Sequence, residues 1–365
     1  GDGDPAFGDP KLLSEHGLVV DELFEQWTRA VAGTGIRRVD RLLVDDQVFD
    51  RQFVHPAWPK ADLVRYYGAQ VAGLNFYLNC LEVLPVPTVV GEAPRIELFP
   101  ATPFLETVNR AKTGGRDLFS IDRRLGTNEL IFAGSIRNRR SEPFRVTVHD
   151  PPIFFARLLA LYMSKQGIEV GVIARASDEA PLAPSRLLHV VQTSISQVLN
   201  RTNRDSQNLF AEALLKRMGR QVTGRPGSWR QGAAAVRMAL RKSNRLDTGT
   251  AALWISDGSG LARDNRVTAR LLVELLRSMH RDPAKAAIFR DSLSLGGTNG
   301  TLHGRFSDLH GQVFAKSGYL RGISGLSGYL VLPAFGRGQP KPRTIGFSFL
   351  FNGFDPHKRN YDIKN

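Results

Sequence analysis

Ser206-Gln207-Asn208 opens the segment Leu209-Phe210-Ala211-Glu212-Ala213-Leu214, and Lys316-Ser317-Gly318 opens onto glycine-broken apolar residues. Leu209, Phe210, Ala213, Leu214 and Met218 recur at helical spacing, and Gly219 stands where a helix is expected to stop. Ser206 is thereby placed at or just before a helix N-terminus. Phe314 and Tyr319 flank the second triplet, and Ile323, Leu326, Tyr329, Leu330, Val331 and Leu332 follow with Gly322, Gly325 and Gly328 between them. Short apolar runs broken by glycine predict paired strands with a tight connection.

The residue types suit a division of labour. A hydroxyl and a carboxamide on one loop can shuttle a proton and hold an amide. An ammonium projecting from a strand supplies positive charge for a carboxylate, and a glycine beside it lets another backbone approach the strand. Each triplet by itself reads as something plainer: Ser-x-Asn as an ordinary helix cap, Lys-Ser-Gly as a solvated turn. Their order, wide separation and contrasting helix and strand settings make the combination informative.

The flanking sequence divides in two. In residues 1–185, Phe144, Val146 and Val148 alternate with Arg145, Thr147 and His149 as in a strand. Pro85 to Pro103 is expected to form loops between small β units, and Pro151-Pro152 to introduce a helix ending near Gly167, followed by a strand over Ile168–Ile173. In residues 186–365, helices are predicted over Leu187–Leu199, Trp229–Arg241 and Val267–Met279. Strands are predicted over Ala251–Ser256, Gln312–Tyr319, Leu326–Leu332 and Thr344–Phe351. Helices packed on an antiparallel sheet follow, and the fold class is α+β.

At 365 residues and 42% hydrophobic content the chain can bury a sizeable core. Its richest apolar stretch, Ile153 to Met163, is too short to cross a bilayer and is interrupted by Arg157. The net charge of +14 attracts polyanions, but the Arg and Lys are spread along the chain, as at Arg137–Arg140, Arg217–Arg230 and Lys341–Arg343, with acids interleaved elsewhere, which argues against nucleic acid. The single Cys80 excludes an intrachain disulfide, and the eight histidines show no His-Glu-x-x-His spacing. His303 and His310 read as surface or cleft-lining.

Further stretches carry a family likeness. Asp257-Gly258-Ser259-Gly260-Leu261-Ala262-Arg263 with Asn265-Arg266-Val267-Thr268, Gly297-Thr298-Asn299-Gly300-Thr301-Leu302-His303-Gly304-Arg305, Gly3-Asp4-Pro5, Val44-Asp45-Asp46 and Tyr67-Gly68-Ala69 all contribute. With the two triplets, they make the chain resemble the penicillin-binding protein 4 type (DacB-like, class C low-molecular-mass) of D-alanyl-D-alanine carboxypeptidase and endopeptidase. The resemblance implies a transpeptidase-like domain over 186–365 and a β-rich inserted region over 1–185 that ends in a helix and strand. It implies peptidoglycan stem peptides and β-lactams as ligands, no cofactor or metal, no transmembrane segment, and a periplasmic or otherwise extracytoplasmic location. It assigns catalysis to Ser206, Asn208 and Lys316, and substrate binding to Ser317, Gly318, Asp257 and Arg263, with bracing of the cleft as the alternative role of the last two. The family's Ser-x-x-Lys nucleophile is expected before Gly1, since no serine in the sequence has lysine three residues on. A closing helix is expected after Phe354-Asp355-Pro356. A non-catalytic wall-binding protein and a β-lactamase-like hydrolase remain the rival readings.

Overall fold

The computed structural model describes residues 1–176, 186–244, 249, 253–333 and 343–355. Two compact units emerge: Gly1–Thr193 with Gly224–Ser228, and Ser194–Thr223 with Trp229–Asn365.

The first unit opens with α1 (Pro10–Glu15), α2 (Val20–Ala32) and β1 (Arg38–Val44). Short strands follow: β2 (Cys80–Val86), β3 (Arg95–Phe99), β4 (Thr107–Asn109), β5 (Lys112–Thr113), β6 (Ser120–Arg123), β7 (Leu130–Ala133), β8 (Ser135–Ile136) and β9 (Phe144–Thr147). Helix α3 (Pro151–Lys165) and β10 (Glu169–Arg175) complete it. The sheets are β3-β2-β9, β4-β7-β6, β1-β10 and β5-β8. Alternation in β9 buries Val146 and exposes Arg145 as the sequence predicts, while Thr147 is buried on the opposite face and donates to the Leu63 carbonyl at 2.6 Å. Helix α3 starts where the Asp150 carboxylate accepts from the Ile153 N–H at 3.3 Å and Pro151-Pro152 pre-set the first turn. Its apolar face joins an aromatic core in which Phe24 stacks on Tyr162 with centroids 4.4 Å apart.

In the second unit α4 (Ile195–Asn203), α5 (Asn208–Thr223) and α6 (Trp229–Asn244) precede the short strands β11 (Leu253–Trp254) and β12 (Arg266–Val267). Helices α7 (Ala269–Arg281) and α8 (Ala286–Ser292) lead to β13 (Ser294–Leu295), β14 (Val313–Leu320), β15 (Ile323–Leu332) and β16 (Arg343–Asn352). These last four strands form an antiparallel sheet in chain order. Tyr329 of β15 is buried and donates its hydroxyl to the Leu276 carbonyl of α7 at 2.7 Å, pinning helix to sheet. Leu302, Val313 and Ala315 form a second apolar cluster on this sheet. β16 is an edge strand among the described residues, and Ile345, Phe349 and Phe351 along it are about half exposed. The α+β architecture agrees with the sequence reading.

Several boundaries differ from expectation. Leu187–Leu199 is not one helix: α4 begins only at Ile195, because Ser194 and Gln197 close a capping box, the Ser194 hydroxyl accepting from Gln197 N–H and the Gln197 side chain accepting from Ser194 N–H. Within Pro85–Pro103 lies strand β3, bracketed by Pro94 and Pro100 rather than interrupted. Val267 belongs to β12 and not to α7, which the Thr268 hydroxyl caps. Ala251, Ala252 and everything beyond Asp355 lie outside the described residues.

Gly219 is no helix stop. α5 continues to Thr223 and ends at Gly224, whose φ is +67°. Gly219 is instead buried where α5 meets α6: a Cβ there would lie 2.8 Å from Gly232 N, and one on Gly232 would lie 2.1 Å from the Leu215 carbonyl oxygen. Both glycines are required by backbone contact rather than by backbone conformation. Gly232→Ala is expected to destabilise the protein by roughly 1–3 kcal/mol, read as a lower denaturant midpoint. Gly304→Ala, where an added Cβ meets nothing within 4 Å, should leave the midpoint unchanged.

Candidate active site

The site is assembled from the α4–α5 corner and strand β14. At the corner, the Arg204 N–H donates to the Asn200 carbonyl at 2.9 Å, and Gln207 N–H to the Arg201 carbonyl at 3.1 Å. Arg201, 5% exposed, holds Asp205 in an ion pair of 2.6 Å. Between these ties Ser206 adopts φ +56°, a left-handed conformation that costs a non-glycine residue on the order of 1–2 kcal/mol. The surrounding bonds over-determine the corner and hold that conformation in place. Asn208 is the first residue of α5, which Leu209, Phe210 and Ala213 anchor in the core. Leu214 is half-buried and Met218 exposed, and the buried face includes two charged residues that apolar periodicity does not detect, Glu212 and Lys216.

Strand β14 brings its triplet to the same place. Lys316, Ser317 and Gly318 pair with Ser327, Leu326 and Gly325 of β15. The Lys316 ammonium donates to Ser206 Oγ at 2.7 Å and to the Ser317 carbonyl at 2.6 Å. Two residues 110 apart in sequence thus meet directly. Burial pulls the Lys316 ammonium down from the usual lysine range to about 8. Ser317 donates its hydroxyl to Thr301 Oγ1 at 2.7 Å. At Gly318 a Cβ would meet nothing within 4 Å, so the protein's own packing does not demand glycine there.

Asp257 and Arg263 occupy a different setting. Asp257 is 4% exposed, and its carboxylate accepts from Gly260 N–H at 2.9 Å, Ala262 N–H at 2.7 Å and the Asn265 carboxamide at 2.7 Å. Arg263 is exposed and donates to the Arg321 carbonyl at 3.3 Å. What ties this loop to α5 is Glu212: its carboxylate accepts from Gly258 N–H and Ser259 N–H, each at 2.8 Å, and from the Trp229 indole at 2.6 Å. Lys216, one turn further along and fully buried, places its ammonium 3.8 Å from the centre of the Trp229 ring. His303 and His310 are exposed, and no group of three metal-ligating side chains exists among the described residues. Cys80 is buried in the first unit, and burial pushes its thiol up to about 12.

Glu212, Lys216 and Thr301 are the residues that motif reading misses. The first two are hidden because charged residues inside a helix normally signal its solvent face. Thr301 sits in the quoted Gly-Thr-Leu stretch but carries no spacing signal linking it to Ser317.

Burial, followed by the charge of Asp257, raises Glu212 to about 7 from the ordinary 4.5. The folded protein therefore keeps a proton that the unfolded chain releases, and stability falls as pH rises through that window. The urea midpoint is expected to drop between pH 5 and pH 7.5, and to drop less in Glu212→Gln. Equal drops in both proteins would refute this account of the carboxylate.

Residues 2–365 match the family model described as the D-Ala-D-Ala carboxypeptidase 3 (S13) family. A D-alanyl-D-alanine carboxypeptidase of Actinomadura sp. (strain R39) is 31% identical over 372 aligned positions, covering 95% of this chain and 64% of that protein. The D-alanyl-D-alanine carboxypeptidase DacB of Haemophilus influenzae is 24% identical, covering 88% of this chain and 66% of its own length. The chain thus spans slightly less than two thirds of these relatives. The crystal structure of penicillin binding protein 4 (dacB) from Haemophilus influenzae superposes with a TM-score of 0.76 at 21% identity, over 97% of this chain and 75% of that one. The same protein complexed with a β-lactam gives 0.67 at 20% identity, over 91% and 72%.

Proposed function

Because the chain belongs to the D-Ala-D-Ala carboxypeptidase 3 (S13) family, we propose that the whole protein is a serine-type D-Ala-D-Ala carboxypeptidase and endopeptidase acting on peptidoglycan stem peptides outside the cytoplasm. The observation that carries this reading is the 2.7 Å bond between Lys316 and Ser206. Residues 186–365 are the transpeptidase-like domain of this proposal and residues 1–185 its inserted region.

The reaction needs a nucleophile, and no serine among residues 1–365 has a lysine three places on. The reading therefore requires a Ser-x-x-Lys elsewhere in the polypeptide. Its serine attacks the carbonyl of the penultimate D-Ala, the terminal D-Ala leaves with a proton on its amine, and water then hydrolyses the acyl-enzyme. Ser206 relays the proton to that amine. It is suited to do so because it accepts from Lys316, which leaves its own O–H free to donate and eases loss of the proton. The Lys316 ammonium holds the C-terminal carboxylate, Asn208 the substrate amide, and Ser317 the carboxylate edge, while Gly318 leaves open space for the substrate backbone. Asp257 shapes the loop that carries Arg263 at the margin. β-Lactams offer a carbonyl and a carboxylate to the same groups. Among the described residues no helix is long and apolar enough to cross a membrane.

A non-catalytic wall-binding protein is the rival reading, and fluorescent penicillin separates the two. Covalent labelling of the full-length gene product supports the enzyme. Reversible peptidoglycan binding without label supports the binder, and rapid nitrocefin turnover would point to a β-lactamase instead. In the labelled enzyme Ser206→Ala should slow acylation by roughly 10²–10³-fold. Since Lys316 sits near 8, its charge fades as pH rises through that value. The profile of kcat/KM should therefore show an alkaline limb near pH 8, which Lys316→Arg removes from the accessible range whatever it does to the maximum.

A further inference from the structure

Ser317 is not an isolated hydroxyl. Its O–H donates to Thr301 Oγ1 at 2.7 Å, Thr301 Oγ1 lies 3.2 Å from Ser294 Oγ, and Ser294 Oγ donates to the Arg204 carbonyl at 3.0 Å. The Thr301 N–H also reaches both Ser294 Oγ and the Arg204 carbonyl, each at 3.2 Å. Three hydroxyls thus form a chain from the Lys-Ser-Gly strand to the backbone two residues before Ser206. The close approach is built in: Gly300 has φ +59°, and a Cβ on it would lie 2.5 Å from both the Arg204 carbonyl oxygen and Ser294 Oγ. Leu302, fully buried, anchors the loop from the other side.

Counting protons shows that this chain has two complete arrangements. With Ser294 donating to Arg204, Thr301 donates to Ser294 and Ser317 donates to Thr301, so the Ser317 proton is turned away from any ligand. A carboxylate can only accept, so Ser317 must turn its proton outward to bind one. The chain can then reverse: Ser294 donates to Thr301, Thr301 to Ser317, and Ser317 to the carboxylate, while the Arg204 carbonyl keeps the Thr301 N–H. Every hydroxyl donates once in either direction, no proton leaves its oxygen, and in the second state each bond polarises the next toward the anion.

We propose that Thr301 is a positioning residue that sets the direction of the Ser317 proton, accepting it in the empty site and donating into Ser317 when a ligand carboxylate takes it. The proposal rests on the acyl-transfer reading only in naming the ligand, a peptide ending in D-Ala-D-Ala carboxylate.

The test compares the full-length protein with Thr301→Val, which keeps shape and N–H but loses the hydroxyl, and with Thr301→Ser, which keeps it. The probes are an N-acylated Lys-D-Ala-D-Ala peptide and its C-terminal carboxamide, followed as KM in turnover, or as Kd by equilibrium dialysis should the wild type take no penicillin label. Thr301→Val is expected to weaken the carboxylate peptide about tenfold, with kcat within about threefold and the carboxamide little changed. Thr301→Ser should stay within about twofold of wild type. Equal losses for carboxylate and carboxamide, an unaffected Thr301→Val, or a Thr301→Ser as impaired as the valine variant would each overturn the proposal. Failure of the wild type to take label overturns the enzyme reading alone, because the Kd comparison still decides the role of Thr301.

Discussion

A partly desolvated ammonium bonded to a hydroxyl is the constraint around which the second unit is arranged. Withdrawing the Lys316 charge from water is unfavourable, and its partners, Ser206 Oγ and the Ser317 carbonyl, are neutral oxygens. The lowered lysine value expresses that imbalance. Two demands follow. Strand β14 must be held rigidly enough that the lysine cannot escape to solvent, which its full-length pairing with β15 achieves. The α4–α5 corner must present Ser206 at the right point, which it does through a left-handed residue locked by the Arg201–Asp205 pair and by backbone bonds on both sides. On the proposed reading, a substrate carboxylate would meet a positive charge that burial has already partly withdrawn from water.

Around that contact the polar groups fall into two networks with different partners. One is the run of hydroxyls from Ser317 to Arg204, composed of neutral groups that can each donate or accept. The other is Glu212 with its three N–H donors, beside the buried Asp257 and Lys216, composed of ionisable groups with fixed tasks. The neutral network can reorient cheaply. The charged one cannot, since unpairing a buried carboxylate or ammonium is far costlier than turning a hydroxyl. It is therefore the natural brace for the loop that runs from Asp257 to Arg263.

How much of this was legible in the sequence depends on the kind of signal. The pairing of Ser206 with Lys316 was readable because motif order and helix or strand context constrained both ends, and the long strands of the sheet were readable because apolar runs and glycines repeat. Leu187–Leu199 misled because local spacing suggested a helix, whereas Leu187, at 78% exposure, contributes nothing to a buried face. Gly219 misled because a glycine near the end of a periodic run has the same one-dimensional appearance whether it caps a helix or admits a neighbouring backbone. Glu212, Lys216 and Thr301 escaped because their importance lies in partners 13 to 47 positions away, and pattern alone carries no such information.

The outer border of β16 carries its own consequence. Ten residues of extended backbone lie there with Ile345, Phe349 and Phe351 in a half-exposed row. An edge ladder beside such an apolar row offers backbone groups for intermolecular sheet pairing. Association of this polypeptide through that border would work against the mutual repulsion of its +14 net charge.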